Sequence, residues 1–294
     1  MTTESHHKAD TPDNGNNPAV RLVVPASIRL RSSWPILLVA ILFVVGAFLT
    51  WYFTWFGREL SNADISSYLA DFQHPRKVQH ALLQIQQRIE SGDASAKQWY
   101  PQLLELANNP EPELRLTVAW LMGFDSKAPA FHTTLLKLLA DPQPLVRRNA
   151  ALALVRFGDS SGRPELRSIF EPYQVRAPAE GVLNSSLKTG SEVSRGTLLA
   201  RLQGEKEMME LRAPIPGKVA TIIVQSGAHV AENEPVMTLV SDEDSVWEAL
   251  RGLALIGERE DLETVQRYLK TSTVSDRIKD QAALTIKSIQ SRLN

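Results

Sequence analysis

The spacing of apolar positions changes character three times along this chain of 294 residues. It begins with a block that has no period at all. Residues 34–57, WPILLVAILFVVGAFLTWYFTWFG, contain no charged side chain, which predicts one continuous helix. About 22 helical residues extend about 33 Å, the thickness of a bilayer core. Trp34 stands at one end, and Trp51, Tyr52 and Trp55 at the other, where aromatic rings favour the headgroup interface. A transmembrane helix is therefore expected. A cleaved signal peptide fits poorly, because a long segment precedes the run and no small-x-small site follows it. Arg21, Arg29 and Arg31 lie before the span and only Arg58 close after it. The positive-inside rule then places residues 1–33 in the cytoplasm, as a disordered tail, and residues 58–294 outside, which is the periplasm in a double-membrane bacterium.

Beyond the span, apolar residues of 62–171 recur at helical spacing, and the sequence repeats itself. NPEPELRLTVAWLM from Asn109 matches DPQPLVRRNAALAL from Asp141 at an offset of 32 residues. Pro110 maps to Pro142, Pro112 to Pro144, Leu114 to Val146, Arg115 to Arg147 and Ala119 to Ala151. A proline in the first turn of a helix loses no needed N–H and presets φ, so each proline pair marks a turn and a new helix start. The pattern resumes in residues 243–294, where ALRGLALIGE from Ala249 resembles AALALVRFGD from Ala150, and IKDQAALTI from Ile278 resembles VRRNAALAL from Val146. Paired helices with a period in the low thirties signal a solenoid.

Between these blocks, from Val175, alanine-rich helical texture gives way to short apolar runs broken by glycine and proline. VRAPAEGVL from Val175 answers LRAPIPGKV from Leu211, and GSEVSRGTLLARL from Gly190 answers GAHVAENEPVMTL from Gly227. Gly181, Gly217, Gly190 and Gly227 are expected at turns that need positive φ, and Val193 and Val230 in the core. Two copies of the same strand-and-turn series predict two halves related by a pseudo-twofold axis.

Composition narrows the chemistry. Lys and Arg number 32 and Asp and Glu 33, for a net charge of −1, so no nucleic-acid-binding surface is implied. There is no cysteine, which excludes thiolate metal sites, disulfides and cysteine nucleophiles. Of six histidines only His6 and His7 adjoin, and no metal site is assigned. No phosphate-binding glycine loop, H-E-x-x-H or G-x-S-x-G is present, so no catalytic residue is assigned and no enzyme is expected. The acids of GEREDLE, residues 257–263, are expected to serve a helix start and solvent. RSIFEPYQVR (167–176) and VSDEDSVWEAL (240–250) read as the segments through which the chain enters and leaves the β region. An electrostatic clamp from Arg176 or Arg212 to nearby acids is a further option there.

Two resemblances follow from these motifs. Asp141, Pro142, Val146, Arg147, Ala150 and Ala151, with Gly158 and Asp159, resemble HEAT repeats of the short bacterial type, which implies protein-binding along one face. The duplicated segment 173–242 resembles the biotinyl/lipoyl carrier domain, a flattened β-barrel of two halves. That resemblance places the modified lysine at the hairpin joining the halves, before the second Ala-Pro; Lys206, ahead of Ala213 and Pro214, meets the spacing. Biotinyl domains flank the lysine with methionines, whereas Glu205 and Glu207 stand here, and Met208 comes one step later. Lipoyl domains favour an acid before the lysine, which Glu205 supplies. The ligases that attach either group act in the cytosol, so on the topology above the expectation is no cofactor, with lipoyl or biotin on Lys206 as the alternative. The same β-fold resembles the lipoyl-like domain of periplasmic adaptor, or membrane-fusion, proteins, in which a long helical hairpin usually separates the halves; here only QGEKE does.

The expectation is thus an α+β multidomain protein: one transmembrane helix (34–57), an α-solenoid of HEAT-like repeats (62–171 and 243–294) and an inserted all-β lipoyl-like barrel-sandwich domain (173–242). Its expected function is that of a non-enzymatic adaptor, scaffold or accessory subunit of a bacterial inner-membrane or envelope complex, with the membrane and other proteins as partners and homo-oligomers as an option. The alternatives are a biotinyl/lipoyl carrier modified on Lys206 and a membrane-fusion adaptor of an export system.

Overall fold

The computed structural model describes residues 34–55, 59–205 and 207–293. The chain divides into two units, residues 1–58 and 59–294. In the first, helix α1 (Trp34–Trp55) runs for 22 residues, and apolar side chains such as Phe43 and Val39 stand exposed. Among the described residues no helix is long and apolar enough to cross a membrane. The expectation of a transmembrane helix over 34–57 is corrected to an apolar helix, α1, over Trp34–Trp55. The tail 1–33, with His6 and His7, lies outside the described residues.

The second unit is built on helices α2 (Asn62–Leu69), α3 (Pro75–Glu90), α4 (Tyr100–Leu106), α5 (Pro112–Met122), α6 (Pro129–Leu138), α7 (Pro144–Arg156) and α8 (Arg163–Ser168). After an all-β segment it continues with α9 (Glu243–Ile256), α10 (Arg259–Thr271) and α11 (Asp276–Leu293). Helices α3, α5, α7, α9 and α11 pack in succession, and the others flank them. Proline opens α3, α5, α6 and α7, where its missing N–H would have had no intrahelical partner. The repeat is visible in its hydrogen bonds. Arg115 Nη1 donates to the carbonyls of Asn109 and Pro110, and Arg147 Nη1 to those of Asp141 and Pro142, so each arginine ties down the loop before its own helix. Each also reaches an acid farther along the chain: Arg115 binds both oxygens of Asp141, at 2.7 and 3.0 Å, and Arg147 binds Glu165 at 2.9 Å.

The solenoid closes across the β insertion. Ala151, Val155, Leu166 and Phe170 share one core with Val246, Leu250, Val265 and Ile278. Arg163 of α8 meets Asp261 of α10 at 3.0 Å, 98 positions away in the sequence. Asp261 is fully buried, and its carboxylate also accepts from the Glu258 N–H at 2.7 Å. This corrects the reading of GEREDLE as a solvated helix start. The acids do open α10, but one of them is a buried anchor between layers, because an arginine from before the insertion neutralises it.

The inserted segment has strands β1 (Tyr173–Arg176), β2 (Gly181–Asn184), β3 (Glu192–Val193), β4 (Leu198–Gln203), β5 (Met208–Arg212), β6 (Gly217–Ile222), β7 (His229–Val230) and β8 (Pro235–Ser241). They form two four-stranded antiparallel sheets, in the orders β1-β8-β6-β3 and β5-β4-β2-β7. Advancing each strand number by four turns one order into the other, which is the pseudo-twofold expected from the duplication. Val193 and Val230 are buried at equivalent places, beside Leu183, Val219, Leu202 and Leu239. Gly217 (φ 155°), Gly190 (φ 88°) and Gly227 (φ 92°) have positive φ; Gly181 does not. Gly181 is needed instead for close approach, since a Cβ there would lie 2.8 Å from the Gln203 carbonyl oxygen.

Candidate functional site

The hairpin β4–β5 joins the two halves of the β module. Its register runs from Leu198↔Arg212 to Gln203↔Met208, and the Gly204 N–H closes the turn on the Glu207 carbonyl at 3.0 Å. Lys206 falls within this connection in the sequence and lies outside the described residues. Its neighbours Glu205 and Glu207 are exposed, and Met208 is 59% exposed at the start of β5. The close seat of Gly181 on Gln203 brings Glu180 beside this turn, and Glu180 faces His229 at 3.4 Å. The corner is therefore solvated and rich in carboxylates. It is a tight turn, closed by the Gly204–Glu207 bond, with Glu205, Glu207 and Met208 exposed.

The opposite end of the module faces the helices. The turns at 194–197 and 213–216 and the end of β8 lie there: Arg195, Gly196 and Ala213 share a cleft with Pro112, Glu113 and Gln143. Arg195 pairs with Glu113, and Leu145 of α7 packs on the β core. Arg148, 5% exposed, donates from Nη2 to the Ser241 hydroxyl at 3.1 Å. Burial pulls its guanidinium pKa down, against the supporting charges of Glu165 and Asp242. From Leu198 to Gln203 five strand steps of about 3.3 Å carry β4 about 17 Å away from that contact.

Arg212 pairs with a nearby acid, Glu210, and also bonds the Gly196 carbonyl, while Arg176 bonds the Asn233 carbonyl and Gln174 and no acid among the described residues; both act within the module. Sequence reasoning missed Arg148. Its only signal was a second arginine beside the repeated Arg147, where the preceding repeat has Leu116. Among the described residues no group of three His, Cys, Asp or Glu could hold a metal ion.

Comparison with known proteins fits this architecture. Residues 100–184 match the family model for HEAT repeats, and residues 173–239 match the model described as biotin-requiring enzyme, the biotin/lipoyl domain. A biotin carboxyl carrier protein of acetyl-CoA carboxylase from Nostoc sp. is 28% identical over 110 residues. That match covers 34% of this chain and 59% of the relative, so the chain spans less than two thirds of that protein's length. A solved single-chain, multi-domain long-chain acyl-CoA carboxylase aligns at 20% identity over 26% of this chain and 8% of that one. Its TM-score is 0.24, too low for the likeness to carry an argument. The chain thus carries HEAT repeats and a biotin/lipoyl-type domain, and neither family match is to a membrane-fusion adaptor.

Proposed function

We propose that this chain is a carrier-type subunit that presents Lys206 on a biotinyl/lipoyl-type module and uses its helical repeats to bind partner proteins. One observation carries the reading: the turn that joins the two halves is closed, exposed and directed away from the repeats, with Lys206 as the lysine of that connection. The match to a biotin carboxyl carrier protein supports biotin over lipoyl as the group. Biotin in amide linkage to Lys206 would supply a site for a transferable carboxyl. The chain's own residues would bind and orient: the Gly204–Glu207 bond holds the turn, and Glu205 and Glu207 keep it hydrated. On this reading the chain is non-catalytic and the chemistry belongs to partners, as in a carboxylase assembly.

A second reading is favoured by two specific features, the 22-residue uncharged helix α1 and the acids in place of methionines beside Lys206. It takes the chain as a single-pass inner-membrane protein with residues 1–33 cytoplasmic, the module and repeats periplasmic, and Lys206 unmodified in an envelope adaptor or scaffold.

Intact mass of the full chain purified from its native host separates the two. The carrier reading expects a mass increment localised to the peptide containing Lys206 and lost in Lys206→Arg. An unmodified mass, together with periplasmic activity of a reporter fused after Asn294, would overturn it in favour of the adaptor.

A further inference from the structure

The way the β module joins the repeats leaves it no tether. Strand β8 ends at Ser241, and the next residue, Asp242, already caps α9 by accepting from the Ser245 N–H at 3.0 Å. On the entry side only residues 169–172 separate α8 from β1, and two of them, Ile169 and Phe170, are buried. The Phe170 ring packs edge-on against Tyr268 at 5.4 Å. Both crossings thus start from the core that α8, α9 and α10 share. Between them sits Arg148, bound to the last residue of β8 and sealed from water, with Nε and Nη1 finding no hydrogen-bond partner among the described residues. A charge is kept in such a place at a cost in desolvation, and its best-attested use is to specify one arrangement among several of similar packing.

We propose that Arg148 is a positioning residue that fixes the β module in a single orientation on the repeats, so that the Lys206 corner is presented at one place instead of being swung by a mobile domain. A partner that acts at Lys206 must then dock within reach of that corner, and the repeats decide where it docks. The proposal concerns placement and stands whatever Lys206 carries.

Because the chain has no native cysteine, spin labels can be placed at will. The full chain is purified in mild detergent, and pulsed dipolar distances are measured between Glu105→Cys and Glu232→Cys, which span repeats and module, with Glu105→Cys and Lys137→Cys as a control within the repeats. The expected result is a spanning distribution as narrow as the control. Arg148→Met should broaden it beyond the control, with helical circular dichroism unchanged, because the two anchored crossings then hold the module without the Arg148–Ser241 contact. Ser241→Ala, which removes only the hydroxyl, should spread it less. A wild-type distribution broader than the control overturns the fixed seat. An Arg148→Met distribution as narrow as wild type, or a misfolded Arg148→Met together with an unchanged Ser241→Ala, overturns the role of Arg148.

Discussion

At the β4–β5 corner the chain reverses between Gly204 and Glu207 and leaves Met208 mostly exposed to water. At the pseudo-symmetric corner, where β8 ends and β1 begins, the same pair of strands stays open and runs into helices, although Tyr173 and its equivalent Met209 are both half-buried against the β core. Strand order and core valines are shared by the two halves. What differs is what lies beyond the strands. One corner is free to face a partner, and the other is occupied by α7, α8 and α9. The duplication built two corners of one kind, and the insertion into a solenoid gave them separate tasks.

The pair Gly217 and Gly181 offers the largest test of that difference. In Gly217→Ala a Cβ would fall 1.9 Å from the Val240 oxygen at a φ of 155°, so backbone must move at the docked corner, and a loss of about 3 kcal/mol or more is expected. The equivalent Gly181→Ala meets the Gln203 oxygen at 2.8 Å with no φ penalty and should lose about 1–2 kcal/mol. Denaturant midpoints of the two variants measure both; equal losses would mean that the corners are no different in tolerance.

A smaller effect is expected from acid. Burial alone would raise the Asp141 carboxyl, but the two bonds from Arg115 and one from the Gln143 N–H outweigh it and hold the pKa below the ordinary aspartate range. A group depressed in the folded state contributes stability that is present above its unfolded pKa of about 3.9 and lost as pH falls through the folded value. Gln143 lines the docked cleft, so the loss should loosen that side first. Unfolding free energies from urea titrations between pH 6 and pH 3 should fall by an amount on the order of 1 kcal/mol that Asp141→Asn no longer shows. Identical slopes for the two proteins would exclude Asp141 as the cause.

The smallest effect belongs to Arg195→Ala. Its pair with Glu113 crosses between module and repeats, yet the two side chains are 31% and 50% exposed, so the expected change in thermal unfolding is below about 1 kcal/mol. A larger loss would move the seat of the docking from Arg148 to this pair.

Much of the fold was legible in particular residues. Pro112 and Pro144 marked helix starts, and the equivalence of Arg115 and Arg147 reappears as the same two carbonyl bonds at the same offsets. The duplication around Val193 and Val230 foretold the exchange of the two sheets. The site was legible only as an expectation, Lys206 by its spacing to Ala213 and Pro214, and it stays with the proposed function. The acids of residues 257–263 misled, because a helix start and a buried anchor use the same residue type, and Arg163, the partner that decides between them, lies on the far side of the insertion. The apolar run over 34–57 led to a helix in the structure and to a membrane crossing that stays with the second functional reading.

By itself the sequence determined those features that are local or repeated: helix starts, the period of the solenoid, the alternation of the strands and the place of the hairpin that joins the halves. These depend on contacts within a few residues, or on one motif occurring twice. Only the tertiary structure decided which end of the module is free, that Asp261 is buried, and that Arg148 is sealed against Ser241. The last two depend on groups more than 90 positions apart, whose meeting is set by core packing across the insertion and by no pattern that a window of sequence can contain.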